Sequence, residues 1–141
     1  GYWLPGSPKL GGAAHLATLV ERERATAATS FLVDSGDMFT GTLSLLTKGE
    51  ALLELMIAMG YDAMGVGNHE FDYGWQNFEE QQSRVAFPIL CANVRYRRKE
   101  GERPIRFCRP HAILERNGVR LGVVSVMGAR AAKYTIMPPT R

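Results

Sequence analysis

The chain has 141 residues, 45% of them hydrophobic, which is the length and apolar content of one packed domain and argues against disorder. No apolar run reaches the roughly 18–20 residues that a membrane-crossing helix needs, and the opening GYWLPGSPKLGG lacks the basic-then-apolar order of a secretory signal, so no transmembrane segment is expected. Seventeen Lys plus Arg against fourteen Asp plus Glu leave a net charge of +3, a slight excess that suits anionic ligands without indicating nucleic acid.

The first predicted element is a helix over 12–28. Apolar residues recur at Ala13, Leu16, Leu19 and Val20 while Glu21, Arg22, Glu23 and Arg24 crowd its far end, an amphipathic pattern. SFLVD (30–34) follows as a short buried strand whose carboxyl end opens into a loop over 35–47. EALLELMIAM (50–59) is a strong helix former stopped by Gly60, and YDAMGVG after it reads as a second buried strand. A polar, Gln- and Glu-rich helix over 75–83 and a strand over 87–92 repeat the rhythm. Three helix-then-strand units in series predict an α/β fold with parallel strands.

Beyond the third strand the character changes. The basic stretch 95–106 encloses Glu100 and Glu102 and reads as a solvated loop in preference to a phosphate-binding patch. FCRPHAILE and VRLGVVSVMG are β-rich and meet at Asn117-Gly118, a favourable two-residue hairpin turn, and the tail AKYTIMPPTR reads as a loop. Cys91 and Cys108 sit in neither a disulfide framework nor a metal spacing, and Cys91, inside FPILCAN, reads as a small buried hydrophobe.

Two acidic, polar clusters fall where successive strands end: DSGD at 34–37 and GNHEFD at 67–72. Ligands gather at the carboxyl ends of parallel strands, so both loops are expected on one rim. A carboxylate such as Asp37 can bridge two divalent cations, the amide oxygen of Asn68 can ligate one of them, and His69 beside it stays free for substrate. Asp72, three residues after His69, is spaced to hold the imidazole by its second nitrogen, making a His-Asp dyad that protonates or stabilises a leaving group. Gly36 and Gly67 let backbone pass close to an ion. Asp34 reads as a loop-stabilising strand-end residue, Phe71 as packing beneath the loop, Glu70 as having no catalytic task, and Met56, Met59 and Met64 as core fillers. Tyr73 and Trp75 fit the site mouth or helix-entry packing equally well.

GNHEFD, the GD within DSGD, and the order GGAAHLATLVERERA, SFLVDSGD, EALLELMIAMGYDAMGVGNHEFDYG, FPILCANV resemble the 5'-nucleotidases of the calcineurin-like metallophosphoesterase superfamily nearly end to end. The resemblance implies a partial metallophosphoesterase sandwich, four-layer αββα when complete. It implies that Asp37 bridges two metals (Mn, Zn, Fe or Mg), that Asn68 ligates one and contacts substrate with His69, and that His69 with Asp72 assists at the phosphate. The implied activity is hydrolysis of phosphate monoesters, 5'-nucleotides in particular, by metal-activated water, in an extracytoplasmic setting.

The family's Asp-x-His motif ahead of the first helix and its later Gly-His and Gly-His-x-His motifs have no match in 1–141. The chain is therefore expected to be a fragment of one catalytic domain, lacking the first strand and the C-terminal part, and inactive by itself. His15, on a helix, and His111, at a strand start, read as structural or surface residues. A truncated or degenerate fold serving as a non-catalytic binding module is the alternative, and basic-surface nucleic-acid binding ranks last.

Overall fold

The computed structural model describes residues 11–98 and 101–134, which fall into two compact units dividing after Ser30. The described part of the first unit is helix α1 (Ala13–Thr26), and no residue of it is buried. The apolar residues that mark it as amphipathic remain open, with Leu16 41% and Leu19 45% exposed.

The second unit is built on a parallel sheet of three short strands in the order β1 (Val33–Asp34), β2 (Ala63–Gly65), β3 (Ile89–Leu90). Val33 pairs with Ala63, Asp34 with Met64, Met64 with Ile89 and Gly65 with Leu90. Each predicted strand is present but shorter than its apolar run, and single backbone bonds continue the pairing just beyond the ladder. The N–H of Asp62 reaches Leu32 O at 2.7 Å and that of Met64 reaches Pro88 O at 3.1 Å.

Helix α3 (Glu50–Ala58) and helix α4 (Trp75–Gln82) lie where their composition places them. The stretch expected to be a loop over 35–47 instead ends in helix α2 (Gly41–Thr47). TLSLLT has weak helix propensity, and the helix stands through its packing, with Ser44 fully buried, while Leu45 and Leu46 stay exposed.

Leu53 and Met56 of α3 and Phe78 of α4 close over Met64, Val66, Ile89 and Cys91, with Phe39 completing the core. Phe78 is its centre, meeting Phe39, Phe71 and Phe107 edge-to-face at 5.6, 5.6 and 5.1 Å. Edge-to-face geometry sets the positive ring edge against a negative face and adds about 0.5–1.5 kcal/mol per pair to the burial itself.

The basic stretch read as a loop is an antiparallel pair, β4 (Arg95–Arg98) with β5 (Gly101–Pro104), in which Arg97 opposes Glu102. Glu102, taken as a mark of solvation, sits at the cross-strand position opposite Arg97. The last hairpin is β6 (His111–Arg116) with β7 (Val119–Val124), joined by Asn117 at φ 50 and Gly118 at φ 77, both positive as a type I′ turn requires.

Arg116 anchors this hairpin to the starts of β1 and β2. Its Nη2 donates to Asp62 Oδ1 at 2.5 Å and its guanidinium lies 5.3 Å from the Phe31 ring centre, while Asp62 Oδ2 accepts the N–H of Leu32 at 2.8 Å. At the other end Asn93 and Met127 exchange two hydrogen bonds, 2.7 and 2.9 Å. Residues 107–109 lie beside β3 through the Leu90–Arg109 bridge, where the N–H of Cys91 reaches Arg109 O at 2.7 Å and that of Arg109 reaches Ile89 O at 2.8 Å. The predicted loop at the tail is a 3-10 turn over Ala131–Tyr134, and residues 135–141 of it lie outside the described residues.

Candidate functional site

The loops that leave β1 and β2 run side by side, and glycine is what lets them. Gly36 has φ 97, and a methyl group there would fall 2.8 Å from the Val66 carbonyl carbon, against the opposing backbone. A methyl on Gly67 would strike the Asp37 side chain, its Cγ 2.6 Å away. DSGD and GNHEFD are therefore in backbone contact, with the Asp37 carboxylate folded over Gly67.

Asp37 itself has φ 63, the left-handed region that a residue with a Cβ enters at a cost of about 1–2 kcal/mol. Its Oδ1 accepts the N–H of His69 at 3.2 Å. Asp34 accepts the N–H of Gly36 at 2.8 Å, an Asx turn that bends the chain toward Asp37. Burial pushes the Asp34 carboxyl up, the Gly36 N–H opposes this, and the charge of Asp37 adds to it.

After Gly67 a single 3-10 turn, His69–Phe71, puts Asn68, His69 and Asp72 on consecutive corners. Asp72 Oδ2 holds His69 Nδ1 at 2.6 Å; the carboxylate side chain is 6% exposed and the imidazole 34%, so a buried acid backs a ring that faces outward. That bond raises the pKa of His69, burial opposes it, and the charges of Asp72, Asp37 and Glu70 add to it. With Nδ1 engaged, Nε2 is the ring atom left to meet a ligand.

Glu70, to which the motif assigned no chemistry, is the most connected side chain of the site. Fully buried, it accepts the N–H of Asp37 (2.9 Å) and Gly67 (2.7 Å) on Oε2, and those of Met38 (2.7 Å) and Phe39 (3.3 Å) on Oε1. Burial pushes its carboxyl up, and the four amide donors oppose this by stabilising the charge. Sequence spacing did not reveal this role because all but one of its partners lie more than thirty residues away. The available signal was an acid between a histidine and a core phenylalanine, a position where burial demands donors. Phe71 packs on the core, as do Tyr73 and Met38.

Among the described residues no group of three or more His, Cys, Asp and Glu converges as a metal cage. The donors present nevertheless suit a hard divalent cation in kind: a carboxylate, Asp37, and a carboxamide, Asn68. The Asn68 side chain is buried and its Nδ2 has no hydrogen-bond partner. A half turn of the amide exchanges oxygen for nitrogen, so the atom at that orphaned position is available to a ligand. Two such donors are fewer than the roughly four to six a divalent cation takes. His15 and His111 lie exposed on α1 and β6.

No protein-family model matches the chain. It is 33% identical over 121 residues, 84% of its length and 21% of the relative's, to a snake venom 5'-nucleotidase of Gloydius brevicauda. Among solved structures it resembles a 5'-nucleotidase precursor from Thermus thermophilus, with a TM-score of 0.79 at 29% identity, covering 92% of this chain and 25% of that one. It also resembles the calcineurin-like phosphoesterase YfkN of Bacillus subtilis, with a TM-score of 0.67 at 26% identity, covering 87% of this chain and 42% of that one. The chain thus spans about a fifth of the length of the curated relative it matches. Mixed α/β architecture, paired DSGD and GNHEFD loops and these likenesses agree, and the chain is a partial domain of the 5'-nucleotidase family of calcineurin-like phosphoesterases.

Proposed function

We propose that this protein hydrolyses phosphate monoesters, 5'-nucleotides foremost, at the rim formed by 34–37 and 67–72. The observation that carries the reading is the linkage of the two loops at their polar residues: His69 N–H on Asp37 Oδ1 at 3.2 Å, with Asp72 behind the imidazole at 2.6 Å.

In this reading Asp37 and Asn68 hold two divalent cations, and the remaining ligands belong to stretches of the longer relatives that this chain does not span. The cations, when bound, supply Lewis acidity to the phosphoryl group and to the attacking water. His69 directs Nε2 toward the phosphate, where it donates to a phosphoryl or leaving oxygen, and Asp72 fixes the ring and sustains its proton. No side chain here acts as a nucleophile, so attack is by water in line with the leaving group. The venom relative suggests an extracytoplasmic setting.

The test is phosphate release from AMP and p-nitrophenyl phosphate by the full-length protein with Mn, Zn or Mg. Asp37→Ala and His69→Ala are expected to lose at least about 100-fold in turnover. Undiminished turnover in either variant rejects that residue's role. The rival reading, a non-catalytic module, is favoured by the lack of a three-residue metal cluster among the described residues. It predicts no release with any of the three metals.

A further inference from the structure

We infer that Glu70 is a positioning residue, whose buried carboxylate sets the place of Asp37 by gripping the backbone of both loops. The inference rests on the phosphoesterase reading above. A carboxylate offers only acceptors, two oxygens with about four lone-pair sites, and four N–H groups converge on it here. Two of the four are the amides of Asp37 itself and of Gly67, the residue preceding Asn68. Met38 and Phe39 supply the others.

The grip explains how Asp37 stays in a left-handed conformation, φ 63, that its Cβ disfavours. It also explains how two glycine-thin loops remain in register, since one rigid group holds both. Without those bonds Asp37 relaxes to an ordinary φ and its carboxylate swings away from Gly67. The core around Phe78 shares Phe39 with this grip but also draws on Leu53, Met56, Met64 and Ile89, which Glu70 does not hold, so a comparator in that part of the core separates loss of stability from loss of site geometry. Glutamine keeps the shape but turns an NH2 donor toward N–H donors, leaving about half the site unsatisfied.

The experiment compares wild type, Glu70→Gln and Leu53→Ala in the full-length protein. Leu53 is buried on α3 and serves as a destabilised comparator outside the site. Binding of Mn2+ is read directly by calorimetry, together with kcat and KM for p-nitrophenyl phosphate. Glu70→Gln is expected to weaken Mn2+ binding about 10–100-fold and to lower kcat, with KM little changed, while Leu53→Ala binds Mn2+ as wild type does. Wild-type binding and kcat in Glu70→Gln, or equal losses in both variants, overturns the inference.

Hydrogen exchange on the wild type needs no variant to fold. Amides of Asp37, Met38 and Gly67 are expected to exchange as slowly as that of Met64, and exchange at exposed-loop rates overturns the grip. Two controls separate the two readings. No phosphate release by the wild type with any of the three metals defeats the phosphoesterase reading, whereas lost turnover in Asp37→Ala with an unaffected Glu70→Gln defeats this inference alone.

Discussion

Gly67 shows how little tolerance the site has. A single methyl there meets the Asp37 carboxylate, so Gly67→Ala forces the two loops apart at the atoms proposed to do the work. Overpacking of this kind costs roughly 1–3 kcal/mol. Gly67→Ala is expected to lower the urea midpoint by a matching amount and to reduce AMP hydrolysis more than ten-fold; wild-type turnover would show that the loops separate without consequence.

The His69–Asp72 pair makes a second expectation at this scale, in chelated, metal-free protein. Its pKa lies above the ordinary 6.5 because Asp72 stabilises the imidazolium. A group raised on folding contributes stability that is complete below its unfolded value and fades as pH climbs through the folded one. NMR titration should place His69 above 6.5, and Asp72→Asn should bring it down. An unchanged midpoint in Asp72→Asn would remove Asp72 as the cause. The dyad was readable in the sequence because its members are three residues apart, whereas Glu70 was not, because its grip joins residues 67–70 to 37–39.

At the scale of elements, Phe78 joins helix, strand and loop. It is fully buried, and its ring meets one phenylalanine from each of three segments: Phe39 after β1, Phe71 after β2 and Phe107 beyond β5. Phe78→Ala is expected to cost about 3–5 kcal/mol in denaturant unfolding, and a loss under about 1 kcal/mol would mean the site loops are held some other way. Helices α1, α3 and α4 were legible from periodicity and composition. Helix α2 was not, since GTLSLLT carries β-branched and glycine residues whose local preference is overridden by packing around Ser44. The β4–β5 pair escaped for a related reason, because a charged run with one Arg97–Glu102 cross-strand pair reads in sequence just as a loop does.

At the scale of the whole molecule, Asp37 and Asn68 are two proposed cation donors where a full shell needs more, and the chain spans about a fifth of its curated relative. The full-length protein is therefore expected to lose AMP hydrolysis on treatment with a chelator and to regain it with added Mn2+. Persistent hydrolysis after complete metal removal would exclude the proposed chemistry.

The letters alone determined that a parallel α/β frame carries DSGD and GNHEFD at adjoining strand ends, since periodicity and short motifs are local properties. Tertiary structure decided which of those polar residues converge. Loops from β1 and β2 meet only because Gly36 and Gly67 omit side chains at their contact, and because a buried Glu70 collects amides from both. Such convergence depends on distances between residues remote in the chain, which spacing along a sequence does not encode.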